Sequence, residues 1–228
     1  MRVRLVISVL AVLAPSTLEG QARVVSAPAD DYLLKVTQAW GRESSLGDLR
    51  VSRMTVNDLE VRLWGGYGLG GTTGLIVRKA GGRWFVWQAD VHTCRLIVPM
   101  AVGDTLSDES IKRYEAAARR NCNTSGEDAG RVISVDTLEL RSITGLGDLA
   151  AMWRTAVDEG LLSLPPEIPR KWMMDDGYTY VVEVRRGDEY RASVIECTQP
   201  PETDGDRQVR QVATVLARRI KPDWPLCR

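Results

Sequence analysis

Residues 77–94 read VRKAGGRWFVWQADVHTC and predict a β-hairpin. The paired glycines Gly81 and Gly82 supply the positive φ angles that a tight turn between antiparallel strands requires. After the turn, apolar residues recur at every second position, which is the period of a strand with one buried face. The residues of this predicted core face are Phe85, Trp87, Ala89 and Val91.

A second hairpin is predicted from strands at residues 178–185 and 189–197, around the turn Arg186-Gly187-Asp188. Each hairpin ends in a cysteine and is followed by a helical pattern and a further cysteine. Two halves of similar pattern, about 45–125 and 131–228, are therefore a possible duplication within residues 23–228. The alternative is that two unrelated hairpins both end in cysteine.

The cysteines of the chain are Cys94, Cys122, Cys197 and Cys227. The first 22 residues of the chain predict export, and in an exported chain disulfides are the expected state of such cysteines. Four cysteines allow three pairings, and the repeated pattern favours Cys94 with Cys122 and Cys197 with Cys227. A zinc site is disfavoured because no two of them have the close CxxC spacing.

Helical spacing of apolar residues elsewhere predicts helices near residues 29–40, 105–120, 149–160 and 209–220. Alternation predicts further strands near 59–64 and 132–140. Strands joined by tight turns cannot be parallel, because parallel neighbours need a crossover connection. The predicted class is α+β, a mainly antiparallel sheet built from β-hairpins with packed helices and two disulfides.

The first 22 residues have the three regions of a secretory signal peptide. A basic start precedes an apolar run of about ten residues, which is too short to cross a bilayer, and Gly20-Gln21-Ala22 offers a cleavage site. We therefore expect residues 23–228 to be an exported domain, periplasmic or secreted, without membrane insertion of the mature chain.

The charge of the chain is balanced, with 30 basic and 30 acidic residues. This balance argues against a nucleic-acid partner. His92 is the only histidine, so a site with several histidine ligands is impossible, and we predict no metal, no cofactor and no catalytic residue. Asp90, His92 and Cys94 share one strand face, but they could act together only if Cys94 were reduced.

Three aromatic residues are predicted to bind a ligand: Trp64, Tyr67 and Trp84. Trp64 and Trp84 fall on the faces opposite the clearest apolar sets, and Tyr67 lies in the glycine-rich stretch Gly65–Gly71. That stretch leads into β-branched residues rather than a helix, which disfavours a phosphate-binding loop. Flat aromatic faces there could stack on a sugar or a peptide.

The function predicted from these features is a non-enzymatic binding or interaction domain whose partner is a protein, peptide or glycan. The alternative is a secreted hydrolase of a polymeric substrate that uses carboxylates alone, since glycoside hydrolysis needs two of them. The candidate carboxylates for that alternative are Asp175, Asp176, Glu183 and Glu196.

Overall fold

The computed structural model describes residues 22–28, 31–52, 54–68, 71–98, 106–120, 131–166, 178–197 and 203–218. Within them a seven-stranded sheet is flanked by four α-helices. The strands are β1 (Arg23–Ser26), β2 (Leu59–Gly68), β3 (Gly71–Ala80), β4 (Arg83–Val98), β5 (Arg131–Ser142), β6 (Tyr178–Arg186) and β7 (Glu189–Cys197). The helices are α1 (Tyr32–Glu43), α2 (Asp108–Arg120), α3 (Leu149–Asp158) and α4 (Asp204–Arg218).

The strand order across the sheet is β1-β7-β6-β2-β3-β4-β5. Every neighbouring pair is antiparallel except β1 and β7, which are parallel. The predicted α+β class with a mainly antiparallel sheet is therefore confirmed. Strand β1 was not predicted, because four residues are too few to show a clear alternation.

Both predicted hairpins are confirmed, as β3–β4 and β6–β7. Their turns use glycines with positive φ: 56° at Gly81, 78° at Gly82 and 57° at Gly187. The two hairpins lie in one sheet, where β2 joins them by pairing with both β3 and β6. The duplication of two halves stays a prediction.

Helices cover both faces of the sheet. One face, the α3/α4 face, packs Leu63 and Val182 against α3 and α4. The other, the α1 face, packs Trp64 and Val181 against α1. Successive residues of a strand point to opposite faces, so neighbours such as Leu63 and Trp64 are buried in different clusters.

In strand β4, the helices on both faces of the sheet change which side chains are buried relative to the prediction. Ala89 is buried and Trp87 and Val91 pack on the α1 face, as expected for the predicted core face. Phe85, however, is 37% exposed at the start of the strand. Val86 is buried on the opposite, α3/α4 face. The prediction of a single core face was wrong here, because a second layer of helices covers the other side.

Buried arginines of the sheet hold the loop after α1 on the α1 face through hydrogen bonds to its carbonyl groups. Fully buried Arg62 donates from Nη1 to the carbonyl of Gly47 at 2.9 Å and from Nη2 to that of Leu46 at 3.1 Å. Its Nε donates to Glu60 at 2.6 Å. Arg185 donates to the carbonyl of Leu49 at 2.7 Å. Burying these charges is tolerable because each has hydrogen-bond partners.

None of the helices in the described ranges combines the length and the apolar character that crossing a bilayer requires.

Candidate functional site

A cleft of about 480 Å³ opens on the α3/α4 face, between helix α3 and the ends of four strands. This volume lies within the roughly 300–1,000 Å³ typical of small-molecule sites. The lining residues are Val56, Asn57, Asp58, Leu59, Lys79, Trp84, Ala150, Trp153, Arg154, Val157, Asp158 and Arg186. The cleft thus combines two tryptophans with several charged groups.

One wall of the cleft is a row of residues across the sheet. Arg186 on β6 pairs with Leu59 on β2, which pairs with Lys79 on β3, which pairs with Trp84 on β4. Directly paired residues of antiparallel strands point to the same face. The register alone therefore aligns two cations and an indole around Leu59 on the α3/α4 face.

The facing wall is one side of helix α3. Ala150, Trp153, Arg154 and Val157 all line the cleft, and their spacing of three and four residues places them on one helical face. Its buried residues Met152 and Ala156 pack into the core instead. The side chain of Asp148 caps the helix by accepting a hydrogen bond from the amide of Ala151 at 2.8 Å. This hydrogen bond defines where α3, and with it this wall, begins.

Asp58 connects three turns at the rim of the cleft through hydrogen bonds. Its Oδ2 accepts the amide of Thr55 at 2.9 Å, and its Oδ1 accepts the amide of Gly81 at 3.2 Å. Its carbonyl accepts the amide of Gly187 at 3.0 Å. The turn before β2 is therefore joined to the turns of both hairpins. The hydrogen bonds from Thr55 are the main reason why the pKa of Asp58 is lowered.

Positive charge predominates among the free groups of the cleft. The ammonium of Lys79 lies 6.0 Å from the ring centroid of Trp84, within reach of a cation–π interaction. Arg154 meets Asp148 only at 3.9 Å, and both are exposed. Among the described residues, no carboxylate forms an ion pair with Lys79 or Arg186.

The three residues predicted to bind a ligand do not come together. Trp84 lines the cleft. Trp64 is completely buried on the α1 face, where its ring lies 5.5 Å from that of Trp40. A ligand cannot reach it there. The alternation of residues in β2 correctly places Trp64 on the face opposite Leu63, but α1 covers this face, which the prediction left open to a ligand. The backbone of Tyr67 lies in β2, and its side chain is outside the described residues.

The carboxylates considered for hydrolysis do not form a described site either. Glu183 is fully buried on the α1 face, away from the cleft. Burial raises the pKa of Glu183, and the charge of Arg62 opposes that shift. Asp175 and Asp176, like the side chain of Glu196, lie outside the described residues.

Cys94 is buried in β4 and bonded in a disulfide. The structure describes no other cysteine side chain, because those of Cys122, Cys197 and Cys227 all lie outside the described residues. No bridge between two described cysteines is therefore seen, and the pairing stays a prediction. The bonded state of Cys94 removes the thiol that a site with Asp90 and His92 would need.

The neighbours of Cys94 on that strand face belong to a polar network with Glu139 and Arg141 of β5. His92 Nε2 lies 3.5 Å from Glu139 of β5, with both side chains about half exposed. Arg141 donates to Asp90 at 2.6 Å. In the part of the chain that the structure describes, no three histidine, cysteine or acidic side chains are grouped so that they could hold a metal ion.

Of the residues that line the cleft, sequence reasoning predicted only Trp84 as a site residue, and Lys79, Trp153, Arg154 and Arg186 are among those that it missed. Two signals could have found Lys79, Trp153 and Arg154. The hairpin register aligns Lys79 with Trp84, and the spacing within α3 places Trp153 beside Arg154 on one face. The pairing of β2 with β6, which brings Arg186 to the same row, is a long-range contact without a local signature.

No protein-family model matches the chain, no curated protein is similar to it in sequence, and no solved structure matches its fold.

Proposed function

We propose that residues 23–228 form a non-enzymatic binding domain that works outside the cytoplasm, with the cleft between Trp84 and Trp153 as its ligand site. The observation that carries this proposal is the cross-strand row from Arg186 to Trp84 facing α3 over a cleft of about 480 Å³. Aromatic faces and charged groups converge there, as is typical of binding sites.

The cleft is supported by contacts within the protein itself. Asp58 joins the three turns at its rim, and α3 packs Met152 and Ala156 into the core beneath it. A site that needs little ordering on binding loses less of its interaction energy to conformational entropy. These contacts support recognition by a preformed surface.

A second candidate function is the carboxylate-dependent hydrolase, because Asp58 and Asp158 both line the cleft. A glycosidase needs one carboxyl group that is protonated at the working pH. Asp58 does not suit that role, since its pKa is lowered by the amides that it accepts. Asp158 would have to be the acid, with Asp58 as the base or nucleophile.

The test is binding and product release with a panel of purified cell-envelope polysaccharides and peptides. We expect retention in affinity electrophoresis without release of reducing ends or amines. Trp84→Ala should lose the retention. Phe85→Ala is the matched control, because Phe85 is an exposed aromatic residue next in the chain on the opposite sheet face.

Two results would contradict the proposal. Equal retention of the Trp84→Ala and Phe85→Ala variants would place the site elsewhere. Release of product by the wild type but not by Asp158→Asn would establish the hydrolase in its place.

A further inference from the structure

We infer that the ligand of this cleft is a polysaccharide whose sugar rings carry carboxylates, a polyuronate. The inference rests on the proposed binding function and adds the chemical class of the ligand. It follows from the charge of the cleft, from its aromatic faces and from its position relative to the sheet edges.

The charge of the cleft favours an anion. Lys79, Arg154 and Arg186 line it together with only two acids, Asp58 and Asp158. The carboxylate oxygens of Asp58 are occupied by backbone amides. The excess of cations is local, because the whole chain has a formal net charge of +0. Guanidinium groups bind carboxylates through two parallel hydrogen bonds, so Arg186, which forms no ion pair with a described carboxylate, suits a carboxylated ligand, while Arg154 already lies 3.9 Å from Asp148.

The aromatic faces favour a ring. Trp84 and Trp153 are each partly exposed and border the cleft from opposite walls. Indole faces pack against flat apolar surfaces, and a pyranose ring offers such a surface. Lys79, which lies over Trp84, would place its charge beside a ring stacked there. A uronate residue combines the stacking surface with the charge.

The position of the cleft disfavours a peptide that adds as a strand. Such peptides gain most of their affinity from main-chain hydrogen bonds to an open sheet edge. The edges of this sheet are β1 and β5, and neither contributes a residue to the cleft. The cleft lies over strand ends, where recognition depends on side chains.

The experiment is affinity electrophoresis of the mature protein in gels that contain polygalacturonate, neutral dextran or poly-L-glutamate. We expect retention by polygalacturonate only, weakened by added salt because Arg154 and Arg186 are exposed. Lys79→Gln and Arg186→Gln should each weaken it about tenfold, the effect of losing one charge-assisted hydrogen bond. Arg113→Gln on α2 is the matched control, since it removes an equal charge outside the cleft.

The outcomes separate this inference from the proposed function. Retention by dextran that depends on Trp84 but not on Arg186 would overturn the inference and keep the binding domain. Equal retention by poly-L-glutamate would overturn the choice of a glycan. Failure to bind polygalacturonate, or an equal loss in the Arg113→Gln control, would also overturn the inference. Retention that is unchanged by Trp84→Ala would contradict the binding site itself.

Discussion

The indole of Trp64 lies directly against Gly74 of the neighbouring strand. The two residues are paired in register between β2 and β3. A Cβ atom added at Gly74 would lie 2.5 Å from Cε3 of Trp64, closer than packed atoms can approach. The same indole contacts Trp40 of α1, with the rings tilted by 56°. Because Gly74 has no side chain, the indole of Trp64 can pack against it and, through its other contacts, against Trp40 of α1.

Gly74→Ala is expected to lower the free energy of unfolding by about 1–3 kcal/mol, the usual cost of overpacking a core. Urea unfolding followed by circular dichroism measures this change. Gly147→Ala is the control, because a Cβ there meets nothing within 4 Å. If both variants were equally stable, the close packing of Trp64 on Gly74 would be contradicted.

Trp64 also shows how far the sequence predicts this fold. Alternation and glycine turns identified both hairpins, because these signals are local. The role of Trp64 depends on a contact with α1, which is distant in sequence. The alternation therefore identifies the sheet face on which Trp64 lies, but it does not reveal that α1 covers that face. The same limit applies to Arg186, whose place in the cleft depends on the pairing of β2 with β6.

Glu183 is expected to make the stability depend on pH. It is fully buried, and its Oε1 accepts the hydroxyl of Tyr190 at 2.8 Å. Burial raises the pKa of Glu183 above the unfolded value of 4.5. The stability gained from the protonated form is therefore present below that value and is lost as the pH rises through the folded pKa.

Glu183→Gln keeps an acceptor for Tyr190 but cannot ionise. Its free energy of unfolding relative to the wild type should therefore increase between about pH 5 and pH 8. Glu183→Ala, which leaves Tyr190 without this acceptor, should cost about 1–3 kcal/mol. Chemical unfolding at both pH values measures these differences. A difference between Glu183→Gln and the wild type that does not change with pH would contradict the raised pKa.

Asp58 is expected to make the protein less stable as the pH falls, whereas Glu183 makes it less stable as the pH rises. Its pKa is lowered from 3.8 by the hydrogen bonds from Thr55 and Gly81. The stability that it contributes is therefore present above 3.8 and is lost as the pH falls through the folded pKa. Asp58→Asn offers one carbonyl oxygen in place of two, so it should cost about 1 kcal/mol at neutral pH.

Acid unfolding of the Asp58→Asn variant should start from this lower stability and show a smaller decline below about pH 4 than the wild type. Asp204→Asn is a suitable control, because Asp204 is 94% exposed and its ion pair lies on the surface. Surface pairs contribute little to stability. Identical acid profiles of Asp58→Asn and the wild type would rule out the lowered pKa.

The predicted disulfides are Cys94 with Cys122 and Cys197 with Cys227. Mass mapping of a digest without reduction identifies the pairs. The sheet already excludes Cys94 with Cys197, since β4 and β7 are four strand spacings apart, about 19 Å, whereas bridged Cα atoms lie about 4.4–6.8 Å apart. Reduction should lower the free energy of unfolding by about 3–4 kcal/mol for each bridge. A peptide that joins Cys94 to Cys227 would contradict the pairing.

The predicted cleavage after Ala22 coincides with the start of the folded sheet. Strand β1 begins at Arg23, whose amide donates to the carbonyl of Asp188 at 2.7 Å. Cleavage turns this nitrogen into an α-ammonium group, which can still donate and gains strength from its charge. The hydrogen bond from the amide of Ala22 to the carbonyl of Arg50 is lost.

We therefore expect the mature chain to begin at Arg23 and to keep β1 paired with β7. A recombinant chain of residues 23–228 should be less stable than one of residues 20–228 by about 1–2 kcal/mol, the value of one hydrogen bond and of the buried methyl group of Ala22. N-terminal sequencing of exported protein and urea unfolding of the two chains test this. A retained Met1 would contradict the signal peptide. A much larger loss of stability in the shorter chain would show that Ala22 anchors β1, and that cleavage must occur before it.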